Sequence, residues 1–284
     1  MTDEYAVFDF DAVDFVTSDT HFSHARISEL AGRPFTSVQE MDAEMIRRWN
    51  DTVGADDVVL HLGDVALGPI DQSIPLTAQL NGRRLLVPGN HDRVSPATQS
   101  RRAIERFAPI YEQAGWILLP EIVQGTRGGR RLIASHYPYS GDTQDVERHS
   151  SHRPVDRGVP LLHGHTHDRN RGPSGHQFHV GVDAFDYAPI PMSLVDAWLQ
   201  RLERKLHDEE APSLGRHIDE QSIAEGTAMV RDALRQVWTD PVIDVWLTSA
   251  NGHLDGARPV DVLALNDLAA VLKAVRQEAE GGYR

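Results

Sequence analysis

Short apolar runs that stop abruptly at polar residues recur through roughly the first 200 positions. They lie at 14–19 (DFVTSD), 57–64 (DVVLHLGD), 84–92 (RLLVPGNHD), 131–136 (RLIASH), 160–167 (PLLHGHTH) and 178–183 (FHVGVD). Runs this short, rich in β-branched residues and closed by glycine or a polar turn, predict buried strands. Between them the period becomes helical. Ser37-Val38-Gln39-Glu40 is a capping box, with Ser37 as N-cap and Glu40 reaching back, and Met41, Met45, Ile46, Trp49 and Val53 form the apolar stripe behind it. Ser95-Pro96 predicts the start of another helix running through Ile104 and Phe107. Residues 116–123 predict one strand, joined by a hairpin loop at 125–129 to the strand at 131–134. The acidic start, 3–14, predicts a solvated arm.

Beyond about residue 200 the strand pattern stops. Residues 195–206 predict a helix, and the polar stretch 207–219, with Pro212 and Gly215, predicts a linker. Ile223, Val230, Leu234, Val237 and Trp238 share one helical face. Leu268, Val271, Leu272 and Val275 share another, behind Asn266 as N-cap. The expected organisation is an α/β domain over 1–206, a linker over 207–219 and a small helical domain over 220–284. A core that thin predicts docking or self-association of the last segment.

Composition narrows the function classes. The chain has 284 residues, 40% of them hydrophobic, and no cysteine, so disulfides and thiolate metal sites are excluded. No apolar run approaches the roughly 18 residues of a membrane helix, and the acidic N-terminus lacks a signal-peptide pattern. A soluble cytoplasmic protein is expected. The formal charge of −14 disfavours long nucleic acid as a partner, while a small phosphorylated substrate drawn to a local cationic site stays compatible.

The chemistry sits where the apolar runs end: Asp19-Thr20-His21, Gly63-Asp64, Gly89-Asn90-His91-Asp92, His136 and Gly164-His165-Thr166-His167. Chemistry past the carboxyl ends of strands is the habit of α/β sheets. Carboxylates, imidazoles and an amide together suit Mn, Fe, Ni or Zn better than Ca or Mg alone; two divalent transition metal ions are expected, Mn as the favoured one. The count exceeds one tetrahedral site, and a carboxylate such as Asp64 can bridge two ions.

These motifs, D-x-H, G-D, G-N-H-D, a lone strand-end His and G-H-x-H, resemble in kind and order those of the calcineurin-like metallophosphoesterases. The resemblance implies a four-layer α-β-β-α sandwich. It implies that Asp19, His21 and His167 hold one metal, that Asn90, His136 and His165 hold the other, and that Asp64 bridges them. It makes His91 the acid beside the phosphate, oriented by Asp92. The implied reaction is hydrolysis of a phosphate ester by a hydroxide shared between the metals, with His91 protonating the leaving oxygen. Members that act on phosphoproteins carry an Asp-Arg pair after G-D, whereas here Val65-Ala66-Leu67-Gly68 follows. A phosphodiester, such as a small cyclic nucleotide, is therefore the expected substrate, with a phosphomonoester or a non-catalytic, partner-binding role as alternatives.

His24, Arg148 and Arg153 are the substrate-contact candidates, the two arginines as a cationic lip in the loop 140–157. His61 and His163, inside apolar runs, are expected to support their neighbours. Residues 245–265 (VWLTSANGHLDGARPVDVLAL) resemble the toxin-binding domain of Xre/ParS-type antitoxins, through Trp246-Leu247, Leu254-Asp255-Gly256 and Pro259 opening a short helix. That resemblance implies a protein-binding or dimerising module over 220–284.

Overall fold

β-Branched strands buried on both faces need helical crossovers and so favour parallel pairing. The computed structural model, which describes residues 5–142, 148–170, 172–209, 220–235, 237–254, 256–265 and 267–281, follows that rule. The strands are β1 (Ala6–Asp9), β2 (Phe15–Thr17), β3 (Val58–His61), β4 (Arg83–Leu86), β5 (Trp116–Leu118), β6 (Ile122–Arg127), β7 (Arg130–Ser135), β8 (Leu161–His163), β9 (Gln177–His179) and β10 (Ile190–Pro191). They build two five-stranded sheets, ordered β1-β6-β7-β8-β9 and β10-β2-β3-β4-β5. Strands β2 to β5 pair in parallel, as do β7, β8 and β9, while β6 and β7 form an antiparallel hairpin. Helices α1 (Ile27–Leu30), α2 (Val38–Thr52), α3 (Ile70–Leu76) and α4 (Arg101–Gln113) lie between the strands.

The chain divides into two compact units, Met1–Ile190 and Pro191–Arg284. In the first, Met41, Met45 and Trp49 of α2 are buried in one cluster with Val59, Leu86, Tyr111 and Trp116. Each such side chain contributes about 1.5–3 kcal/mol on burial. The Trp49 indole N–H finds the Asn81 carbonyl at 3.0 Å, so the ring is buried with its polar atom satisfied.

All six predicted strands form, but most are shorter than the apolar runs, because the polar residues that close the runs leave the ladder and turn. Four expectations need correction. Residues 6–9 are not a solvated arm but β1, paired with β6 from Ala6↔Val123 to Asp9↔Thr126. Val7 is 78% exposed, so this edge strand has no alternation to read, and buried Phe10 anchors it instead. Residues 116–123 are two strands in different sheets, parted at Leu119-Pro120, where proline withholds an N–H. The helix expected at Ser95 begins at Arg101, capped by Ser100, whose Oγ accepts the Ala103 amide at 3.3 Å. In the capping box, Ser37 Oγ accepts the Glu40 amide as expected, but the Glu40 carboxylate takes the Thr36 amide, at 2.8 Å.

The second unit contains α5 (Met192–Glu209), α6 (Glu220–Leu234), α7 (Asp240–Thr248), α8 (Pro259–Ala264) and α9 (Leu268–Gly281). Its buried side chains include Val230, Leu234, Ile243, Leu247, Val262, Leu263 and Val271. Val237 and Trp238 fall in the turn after α6 rather than on its face. Of the expected linker, 210–219 lies outside the described residues, as do Asn266 and Asp255. Asp267 caps α9 through Oδ1, which accepts the Ala270 amide at 3.1 Å. No helix among the described residues is long and apolar enough to cross a membrane.

Candidate metal centre

Three of the five candidate ligand turns leave their strands through left-handed backbone. Asp19 (φ 58°), His21 (51°), Asp64 (58°), His165 (71°) and His167 (50°) all adopt it. Non-glycine residues there cost on the order of 1 kcal/mol or more each, and such strain concentrates at functional sites. Two glycines allow the turns to meet. A Cβ on Gly89 would lie 2.3 Å from Asp64 Oδ1, and one on Gly164 would lie 2.5 Å from Asp19 Oδ2.

The turns converge into two adjoining sets. Asp19, His21 and His167 offer ligand atoms within 4.8 Å of one another, as do Asp19, Asp64 and His136. On one side, His167 Nε2 lies 3.9 Å from Asp19 Oδ1. On the other, Asn90 Oδ1 is 3.0 Å from both His136 Nε2 and His165 Nδ1, and those nitrogens are 3.2 Å apart. Asp64 Oδ2 stands between, 3.5 Å from His21 Nε2 and 3.6 Å from His136 Nε2. Its other oxygen accepts the His91 amide at 2.8 Å, which fixes the carboxylate's aim.

Polar groups behind the imidazoles set their tautomers. His136 Nδ1 donates to the Leu62 carbonyl at 2.8 Å, leaving Nε2 facing the centre. His167 Nδ1 is 2.8 Å from Asp183 Oδ2. Arg33 grips that carboxylate at 2.8 and 3.1 Å and spends its remaining N–H groups on the Thr20 and Asp19 carbonyls. His165 Nε2 is 3.2 Å from Asp142 Oδ2. Asp183, Arg33 and Asp142 escaped the sequence reading, since each stands alone in its stretch and acquires meaning only through a partner distant in sequence.

The donor set suits a cation. Both ring nitrogens of His21 are buried with no hydrogen-bond partner, a costly state unless a further group binds there. Burial, then the nearby His167 and Arg33, hold His21 well below the usual imidazole range, so it is a neutral, ligand-ready base. Burial would raise the Asp64 carboxyl, but His136 and His91 beside it hold it below its ordinary value and so ionised. Nitrogen and oxygen ligands without sulfur match a borderline divalent metal.

His91 and His24 border the centre. The His91 side chain is 42% exposed, with Nε2 3.9 Å from Asp64 Oδ2. The His21 ring lies 5.3 Å from each of them. Burial, then His91, lowers His24 to about 4. His61 sits inside the sheet as expected: it accepts the Gly63 amide on Nδ1 at 3.1 Å, so Nε2–H donates to Thr20 Oγ1 at 3.0 Å. His163 Nδ1 donates to the Gly164 carbonyl at 2.9 Å.

Two expected roles change. Asp92 does not orient His91. Its oxygens accept the amides of Gly89 and Asp64 at 2.8 Å and of Val65 at 3.1 Å, which ties two ligand turns together. Burial, then the charge of Asp64, push this carboxyl up to about 7 despite those amides. Nor do Arg148 and Arg153 form an open phosphate lip. Arg148 Nη2 lies 2.7 Å and Arg153 Nη2 3.2 Å from the Asp142 carboxylate, and Arg153 is buried.

The calcineurin-like phosphoesterase profile matches residues 15–202. The gene 66 protein of Mycobacterium phage L5 is 32% identical over 205 residues, covering 68% of this chain and 95% of that protein. An uncharacterized protein of Methanocaldococcus jannaschii is 26% identical over 189 residues, covering 64% and 88%. Among solved structures, a protein of unknown function from Aquifex aeolicus aligns with a TM-score of 0.49 and 24% identity, covering 64% of this chain and 96% of that one. The profile spans β2 to β10 and every one of the converging turns, and the chain belongs to the calcineurin-like phosphoesterase family, whose members use divalent metal ions.

Proposed function

We propose that this phosphoesterase hydrolyses a small phosphodiester, with a cyclic nucleotide as the favoured class, using two divalent transition metals, manganese preferred. Asp19, His21 and His167 would hold one ion, Asn90, His136 and His165 the other, with Asp64 shared. The position of Asp64 Oδ2, 3.5 and 3.6 Å from an imidazole nitrogen of each set, carries the proposal. When bound, the pair would supply Lewis acidity to activate a water and neutralise phosphoryl charge. His91, exposed at the rim, donates the proton to the leaving oxygen, and His24 borders the same side. Asp92 holds the Gly89 and Asp64 turns in register, so that His91 and Asp64 stay mutually placed.

A diester is favoured over a monoester by where the guanidinium groups point. No arginine follows Asp64 over 65–68, and Arg33, Arg148 and Arg153 are each turned onto a carboxylate. Nothing in that arrangement answers the second negative charge of a monoester. The test is a panel of aryl mono- and diesters, cyclic nucleotides and phosphopeptides, run with metal analysis. Diester turnover should exceed monoester turnover, and a reversed order would contradict the diester assignment.

A second reading concerns residues 220–284, which we propose to be a protein-binding or dimerising module. It is favoured by Val242 and Val245, 47% and 64% exposed on α7. Unchanged partners and oligomeric state after removal of 220–284 would refute it.

A further inference from the structure

The half of the centre formed by Asn90, His136 and His165 depends on which nitrogen of His165 carries its proton. Nδ1 faces Asn90 Oδ1 and His136 Nε2, at 3.0 and 3.2 Å, so it must keep a free lone pair to bind a cation there. Nε2 points the other way, to Asp142 Oδ2 at 3.2 Å. A carboxylate accepts only, so the proton sits on Nε2 and Nδ1 stays open.

Asp142 is itself fixed from several directions. The Arg148 backbone amide donates to Oδ2 at 2.9 Å, and its Nε and Nη2 donate to Oδ1 at 3.1 and 2.7 Å. Arg153 Nη2 adds a contact to Oδ2 at 3.2 Å, while its Nη1 donates to the Gly141 carbonyl at 2.9 Å and its Nε to the Arg148 carbonyl at 3.2 Å. All of these residues lie between β7 and β8, the strands after which His136 and His165 follow. The other half of the centre has a separate support, Asp183 with Arg33 behind His167.

We propose that Asp142 is a positioning residue that sets the metal affinity of the Asn90–His136–His165 half alone, with Asp183 doing the same for the Asp19–His21–His167 half. The inference rests on the two-metal reading above. It gives Arg148 and Arg153 a role near the centre: they hold the carboxylate that holds His165. Loss of such a partner lowers metal affinity by roughly 10–100-fold.

The test is calorimetric titration of Mn²⁺ into the metal-free full chain, for the wild type and the Asp142→Ala, Asp142→Asn and Asp183→Ala variants. The wild type should show two binding steps. Asp142→Ala should weaken one step by about 10–100-fold and leave the other alone, and Asp183→Ala should weaken the opposite step. Asp142→Asn keeps an acceptor oxygen and the volume, so its loss should be smaller; it also carries the test if the alanine variant fails to fold. In an Asn90→Ala background, which removes the affected half, Asp142→Ala should change nothing further in the remaining step, whereas Asp183→Ala should. Two unaltered steps in Asp142→Ala, or equal weakening of both, overturn the inference alone. A wild type that binds fewer than two ions overturns the two-metal reading and the inference with it.

Discussion

His91, beside Asp64, and Asp183, behind His167, flank the same cluster and are expected to fail in different ways. His91 holds no ligand position, so His91→Ala should keep its metal and lose about 10²–10⁴ in rate, most for poor leaving groups. Metal analysis beside kinetics with two leaving groups checks this, and equal losses for both would argue against an acid role. For Asp183, burial alone would raise the carboxyl, but His167 and Arg33 bring it down to about 2. A carboxyl lowered by folding adds stability above its unfolded pKa near 4 and loses it as pH falls toward 2. The metal-free protein should therefore lose about 2 kcal/mol from this group between roughly pH 4 and pH 2. Urea midpoints across that window should fall less steeply in Asp183→Asn, and parallel acid limbs would contradict the assignment. His167 and His165 are visible in the sequence because they stand in motifs. The carboxylates and guanidinium behind them are not, since an isolated Asp or Arg in a loop reads as surface until the fold delivers it.

At the scale of elements, the strands were legible because burial on both faces writes a continuous apolar run. What could not be read was where pairing is carried by backbone alone. Val7 is 78% exposed, so β1 has no pattern, and β5 and β6 look like one apolar run although they belong to different sheets. The ligand turns depend on close backbone approach, and Gly164 is the sharpest case. A Cβ there would lie 2.5 Å from Asp19 Oδ2 and 2.6 Å from Ser18 Oγ. Those are buried groups with no room to withdraw, so Gly164→Ala should displace Asp19 and cost metal binding as well as about 1–3 kcal/mol of stability. Thermal melts with and without Mn²⁺ measure both. A variant that melts like the wild type and gains the same stabilisation from metal would show that the turn can relax.

At the scale of the whole chain, a −14 protein concentrates imidazoles and carboxylates at the ends of six strands. The motif order already pointed to the fold, the family and the ligand cluster. It could not show that Asp92 ties turns together, or that Arg153 is internal, because those assignments depend on side-chain direction rather than spacing. A centre of this kind requires Asp64 to serve both of its halves. The most direct measurement is therefore metal stoichiometry with hydrolysis of an aryl phosphodiester, for the wild type against Asp64→Ala. The wild type should bind two divalent ions per chain and turn over. Asp64→Ala should lose tight binding of at least one ion and fall to the background rate. An Asp64→Ala protein that keeps two ions and its activity would contradict the shared-carboxylate centre.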